Sequence, residues 1–483
     1  MSRFGWILIV LVLVMGGVAA HAYYRLDYVA PVPQFASAED HFLYGSIGNE
    51  DERGVPYWIW LVLPRIFPQY LPGPGGYASV GLFSRDGHEM PIGVSKVEVG
   101  VPRVGINCAF CHTATVRAKP TDTPLIYPGA PANGVGPQEY LRFLVASASD
   151  PRFSAGTILY EISRNVELSL PDRLLYRFSL IPETRRTLLA LGAEAASSQA
   201  PDWGRGRSDQ ANRAKMSLLA QPVYATVGTA DVMPLWHLKG REPHGYQWDR
   251  SSTSLRELVR LSALIEGAPA RWMDTDTAMW DRADPGQPSS LRRIEEYLND
   301  LAPPKYPFAV DAALAAAGAA TYAATCAECH DANGARANTP IPLAEIGTDG
   351  SRLDAWTARS SERLNAYAEG KPWQFSRFRQ PSAGYVAPPL DGVWVSAPYL
   401  HNGSIPTLSA LLEAPPARPA RFWRGYDVYD QQRVGFISDD AEAQRLGTAY
   451  DVTEPGNGNG GHVYGTALSA EQKRALLEYL KTR

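Results

Sequence analysis

The chain has 483 residues, 45% hydrophobic and 20% charged, with a formal net charge of −4. This is globular composition, long enough for two domains or one large one, and it excludes a disordered or collagen-like chain. The slight acidity and the absence of any basic run give no sign of a nucleic-acid partner or a polybasic lipid-binding patch.

At the N-terminus, MSRFGWILIVLVLVMGGVAAHAYY places Arg3 before an uncharged apolar run from Gly5 to Ala20, followed by the small-x-small pattern Ala20-His21-Ala22. The run is short for a membrane-spanning helix, which needs ~20 residues. Residues 1–22 are read as a signal peptide or an N-terminal membrane anchor, with cleavage preferred. If the segment is kept, residues 5–20 anchor the chain to the inner membrane. Either outcome makes the body periplasmic or secreted.

All four cysteines fall in two C-x-x-C-H motifs, GINCAFCHTATV (105–116) and TYAATCAECHDANG (321–334). In an oxidising compartment cysteines ordinarily pair as disulfides. Here the spacing points elsewhere. Covalent haem attachment needs two thiols that reach the vinyl groups on one porphyrin edge, and an imidazole on the next turn that reaches the iron. A thioredoxin-like pair would need a βαβ setting, and a zinc ribbon would need its two pairs ~15–20 residues apart. Cys108, Cys111 and proximal His112 are therefore assigned to one c-type haem, and Cys326, Cys329 and proximal His330 to a second.

Between the motifs, apolar periodicity predicts helices over 137–148, 185–196, 252–267 and 290–301. The proline-rich stretch LNDLAPPKYPFAV (298–310) breaks the pattern, because helices rarely run through Pro303-Pro304. The boundary placed there gives an N-terminal c-type haem domain, 23–303, and a C-terminal cytochrome c domain, 304–483. Alanine-rich DAALAAAGAATYAATCAECH runs as a helix into the second motif. LSAEQKRALLEYLKTR reads as a terminal helix in which Ser469 and Gln472 fit a capping box. In a class I cytochrome c fold two such helices cross at a small residue, which Gly318 supplies. The expected fold is mainly α: two class I cytochrome c-like haem domains with long, loop-rich insertions.

The sixth ligands are less determined. No methionine lies in 304–483, so the second haem has none from its own domain. His462, in the loop PGNGNGGHVYGT, is preferred to His401, in GVWVSAPYLHNGSIPTLSALL. A glycine-rich loop can bring backbone close to a haem face. Bis-histidine ligation gives a lower potential than Met/His. For the first haem, His41, His88, Met90, Met216, Met233, His237, His244, Met273 and Met279 are all available, and so is an open position.

GVWVSAPYLHNGSIPTLSALL (392–412) resembles a segment of the bacterial di-haem cytochrome c peroxidases and their methylamine-pathway relative. RFWRGYDVYD (421–430), VGF (434–436) and NGNGGHVYGTALSAEQKRALLEYLKT (457–482) are more similar to the di-haem rubber oxygenase branch of that superfamily. GINCAFCHTATV and YQWDRSSTSL are the looser N-terminal matches. The resemblance implies an exported protein with two covalent haems. The N-terminal haem would be the reactive one and the C-terminal haem a six-coordinate electron-transfer centre. It also implies bis-histidine ligation with His462 at the matching place, and His401 near a haem rather than on its iron. The peroxidases' methionine on the C-terminal haem is missing here, which weakens a peroxidase assignment.

The expected function is an exported di-haem oxidoreductase. Oxygen or peroxide would react at the His112 haem, and electrons would pass through the second haem to or from a periplasmic partner. The alternative is a non-catalytic di-haem electron-transfer cytochrome.

Overall fold

A computed structural model of the chain describes residues 35–196, 201–221, 226–239, 241, 244–282 and 288–483, with isolated positions before residue 35. The expected signal or anchor segment lies largely outside these residues. Among the described residues no helix is long and apolar enough to cross a membrane.

Helices carry most of the regular structure, and the sequence supplies their ends. Ser37 caps Ala38–Tyr44, its Oγ accepting from the Asp40 amide at 2.9 Å. The helix expected over 137–148 spans Pro137–Ser149, with proline at its first position, where no amide hydrogen is missed. That expected over 252–267 is Leu255–Glu266. It starts later because Ser254 accepts from the Glu257 amide, and it stops at Gly267, whose φ of 109° is left-handed. The helix of 290–301 spans Ser290–Asp300 and is capped by Ser289. That of 185–196 begins earlier, at Ile181, as a continuation of the turns before it.

The chain is mainly α, with small sheets. One sheet positions the first motif. Its three antiparallel strands, Val55–Pro56, Val101–Ile106 and Val94–Val99 in spatial order, end one residue before Asn107. After His112 a two-stranded hairpin, Thr113–Val116 with Leu125–Pro128, carries the chain away.

The second motif hangs on two crossing helices. The alanine-rich segment forms Ala312–Thr325, and the terminal segment forms Ala470–Leu480. The Ser469–Gln472 capping box is complete: the Gln472 amide donates to Ser469 Oγ at 3.2 Å, and the Ser469 amide donates to Gln472 Oε1 at 3.0 Å. A Cβ on Gly318 would stand 2.0 Å from the Ala475 carbonyl oxygen, so the two backbones touch where the sequence has no side chain. Tyr322 packs on Tyr479 one turn further along, ring centroids 5.0 Å apart.

Among the described residues the two larger apolar cores both draw on both halves of the chain, and a small third cluster holds Tyr426, Val428 and Ala443. The larger is built from Phe42 to Leu298, and it also takes in Trp356, Leu364, Trp373, Phe375 and Phe378 from beyond the proline-rich break. The smaller holds Tyr322, Trp394, Tyr399, Ile405, Tyr429, Leu476 and Leu480, joined by Ala114, Val116, Ala130 and Trp236.

Candidate haem sites

The first motif is a single helical turn, Cys108–Cys111. Asn107 makes it. Its Oδ1 accepts from the Ala109 amide at 3.0 Å, while its Nδ2 donates to the carbonyls of Leu43 and Gly45 at 3.2 and 3.0 Å. One side chain thus caps the turn and ties it to the end of helix Ala38–Tyr44. The His112 amide donates to the Cys108 carbonyl at 3.0 Å, which sets the imidazole one turn beyond the first thiol. Both thiols are free and partly buried. Burial pushes them up to about 12, helped by the Glu266 carboxylate, which a bidentate pair with Arg213 holds in place at 2.6 and 2.8 Å. Burial also brings His112 down to about 4, so it is neutral at neutral pH and its lone pair is available for a metal.

Of the nine residues available as a sixth ligand here, three histidines have partners of their own. His41 Nε2 lies 2.9 Å from Ser290 Oγ, His88 stacks on Tyr44 at 4.2 Å, and His237 Nε2 is 3.1 Å from Asp391 Oδ2. The His244 amide closes a turn onto the Arg241 carbonyl. Met90 and Met273 are buried in the larger core. Met216 and Met279 lie in helices Gln210–Ser217 and Ala270–Arg282. Met233 is the one whose backbone comes up to the His112 ring.

The second motif opens on a cavity of about 500 Å³, within the range of small-molecule and cofactor sites. Its lining is mostly apolar, with Ile341, Leu390, Leu400, Leu412 and Leu476 among the walls and Cys326 and Cys329 at one edge. Pro131, Val232, Pro234 and Trp248 close it from the N-terminal half. His330 Nδ1 lies 2.7 Å from the Pro388 carbonyl oxygen, which can only accept, so Nδ1 carries the proton and Nε2 keeps its lone pair. Metal-ligating histidines are oriented in this way by their other nitrogen.

His462 lines the same cavity, its ring centroid 6.3 Å from that of His330 and its plane turned by 48°. Two metal–imidazole bonds of about 2.0–2.1 Å plus the two half-rings add to roughly 6 Å, so one metal ion fits between them. Burial brings His462 to about 4, and its Nδ1 is buried without a hydrogen-bond partner. The thiols at the edge, the oriented His330, the facing His462 and the apolar walls all suit a haem bound through Cys326 and Cys329.

His401 lines the cavity too, but stacks on Tyr385 with centroids 3.7 Å apart and planes within 15°. Burial, with Arg352 and Arg207 nearby, lowers its pKa to about 3. The structure therefore gathers Cys326, Cys329, His330, His462 and His401 around one cavity, and the ring that faces His330 is that of His462. Sequence reading missed two supports of this arrangement. The Pro388 carbonyl carried no local signal, and Tyr385, in strand Gly384–Val386, meets His401 across 16 positions of chain.

These features define a protein with a cytochrome c-like domain: a haem cytochrome with a redox or electron-transfer role, whose cofactor is covalently bound haem. Residues 384–424 match a family described as RoxA-like, cytochrome c-like, which relates the chain to the cytochrome c family. The matched stretch includes His401. Two proteins of Sinorhizobium fredii (strain NBRC 101917 / NGR234) are similar, both described as uncharacterized. Protein y4iJ is 42% identical over 112 residues, 21% of this chain and 18% of its own length. Protein y4iM is 29% identical over 311 residues, 54% of this chain and 66% of its own length. The chain thus spans under a fifth of the one and about two thirds of the other.

Proposed function

We propose that the chain is an exported di-haem c-type cytochrome that works as an oxidoreductase, with an open iron at His112 and a closed, bis-histidine iron between His330 and His462. The observation that carries the reading is the pair of C-x-x-C-H turns. One of them has a second imidazole facing its proximal histidine at 6.3 Å. Cys108 and Cys111 would hold the first haem, and Cys326 and Cys329 the second. Haem supplies one-electron and oxygen chemistry; the protein supplies axial ligands, burial and access.

At the second site Pro388 keeps His330 in the tautomer that ligates. The apolar walls exclude water and so favour the less charged state of the centre. The reactive site is assigned to the first motif because far more chain surrounds it than a bare electron carrier needs, about 100 residues per haem. Oxygen or peroxide is the proposed reactant there, and a periplasmic redox protein the proposed electron partner. Residues 1–22 would direct export or anchor the chain.

The test is ferric-state EPR on protein matured in a c-type haem system, with haem counted by pyridine haemochrome. Two haems per chain with one high-spin and one low-spin signal are expected. One haem per chain would end the di-haem reading. Two low-spin ferric signals, with the haem that stays ferric after half-reduction still low-spin, would end the enzyme reading in favour of the electron carrier.

A further inference from the structure

His462 stands opposite His330 in a backbone conformation that L residues rarely take, with φ of +43°. Something must hold it there, since it follows a run of glycines and asparagines with little stiffness of its own. Its amide donates to the Ile346 carbonyl at 2.7 Å. Its carbonyl is held from the other side by Arg418.

The Arg418 side chain is buried and makes five hydrogen bonds, all to backbone carbonyls. Nη2 reaches His462 at 3.0 Å and Leu411 at 3.3 Å, Nη1 reaches Asn459 at 2.7 Å and Gly461 at 2.8 Å, and Nε reaches Glu413 at 2.9 Å. Three of these carbonyls belong to the loop that carries His462. The other two belong to the end of helix Leu408–Leu411 and the residues just after it, where Leu411 also lines the cavity. A planar fork with fixed donor directions can satisfy such a set; a lysine ammonium cannot reach all of it. Gly461 completes the clamp. Its φ is +69°, and a Cβ there would lie 2.2 Å from the backbone carbon of Gly347.

We propose that Arg418 is the positioning residue for the sixth ligand of the second haem. Its guanidinium fixes the 459–462 backbone so that the His462 imidazole is held at the iron's open position before the bond forms. The inference rests on the reading of His462 as that ligand and adds what keeps it in place. A ligand fixed in this way stays bound when the iron changes oxidation state and resists replacement by small ligands. Freed from the fork, it exchanges. Loss of the charge-assisted bond to the His462 carbonyl alone shifts the bound-to-free ratio of the imidazole by roughly tenfold.

The experiment uses the full chain with both motifs intact and four variants: Arg418→Ala, Arg418→Lys, Gly461→Ala and His462→Gly. Each is followed by ferric-state spectra, by the midpoint potential of the second haem, and by titration with free imidazole. His462→Gly is expected to make the second haem high-spin, with low spin restored by imidazole. Arg418→Ala is expected to give a mixed-spin second haem, a raised potential and roughly tenfold tighter binding of added imidazole than the parent. Arg418→Lys should fall between the two, and Gly461→Ala should shift the same readouts.

If Arg418→Ala keeps the parent's spin state, potential and imidazole affinity while only its melting temperature falls, Arg418 merely supports the fold and the proposal is overturned. If His462→Gly itself changes nothing, the ligand reading fails, and the positioning role with it. Should Arg418→Ala not accumulate, the lysine and Gly461 variants decide by the same readouts.

Discussion

Replacing Gly318 by alanine should destabilise the protein even though alanine is the better helix former. In an open helix interior the change gains about 1 kcal/mol. At Gly318 the new Cβ would sit 2.0 Å from the Ala475 carbonyl oxygen, 2.5 Å from its carbon and 2.9 Å from Tyr479 Cβ. The obstruction is backbone, so no rotamer relieves it. Helices Ala312–Thr325 and Ala470–Leu480 must separate by about an ångström, which loosens Tyr322 from Tyr479 and lifts Leu476 from its neighbours. Overpacking costs about 1–3 kcal/mol in flexible surroundings, and the upper end applies when main chain must move. After the helix-propensity gain, a net loss of about 2 kcal/mol remains. In a cooperative unit of 150–250 residues that lowers the Tm by about 4–8 °C. The assay is thermal unfolding of the haem-loaded protein, followed by circular dichroism and by the Soret band. Gly156→Ala is the control. That position lies in helix Ala155–Ser163, with the nearest atom 3.9 Å away, so the same change should be neutral or stabilising there. A Gly318→Ala protein as stable as its parent would refute the close crossing.

Arg424→Met should cost about 3–5 kcal/mol, because it strips the guanidinium from a carboxylate buried with it. Arg424 Nη2 lies 3.1 and 3.0 Å from the Asp231 oxygens, and its Nε and Nη1 hold the carbonyls of Arg205 and Gly403. Burial already raises the Asp231 pKa. The deficit should therefore shrink in acid, where the orphaned carboxyl takes up a proton; denaturant titrations that give equal losses at pH 5 and pH 8 would rule out this cause. Asp276→Asn tests a second buried acid. Burial pushes Asp276 up to about 6, against hydrogen bonds from Ser289 Oγ and the Ser290 amide. A folded pKa above the unfolded one, ~3.9, means stability present below pH 4 that is lost as pH rises through 6, on the order of 3 kcal/mol. His41, lowered to about 4, runs the other way in the same window, so the informative quantity is the parent-minus-variant difference in unfolding free energy. It should fall from pH 4 to pH 7, and a flat difference would show that Asp276 keeps an ordinary pKa.

What could be read in advance was local. The C-x-x-C-H turns, the Ser469–Gln472 box, the close approach at Gly318 and the four amphipathic helices each depend on residues within one or two turns of one another. Helix ends were missed by a few residues where a cap such as Ser254 overrode periodicity. The exposed side chains of Leu170, Leu174 and Phe178 gave no usable signal, because an outward apolar face reads as a buried one. Long-range placement was out of reach. Nothing in the 355–378 stretch says that its tryptophans and phenylalanines will pack with residues 42–298. The loop around His462 was recognisable by its glycines, but not the left-handed backbone of His462 or the bond its carbonyl accepts from an arginine 44 residues upstream.

That late contribution to the larger core has a consequence in time. Trp356, Trp373, Phe375 and Phe378 fill a core against which Cys108 and Cys111 pack. They are synthesised 245 to 267 residues after Cys111. At roughly 5–20 residues per second, that is a delay of about 10–50 s on a growing chain. Throughout it the first thiol pair sits in a core that is still incomplete, near the ordinary thiol pKa of about 8.5. Once the last aromatics arrive, the core is complete around the partly buried thiols, and burial in the folded chain pushes them up to about 12. The segment around residues 355–378 is thus the last part of that core to be made, and the thiol pair reaches its folded surroundings only after it.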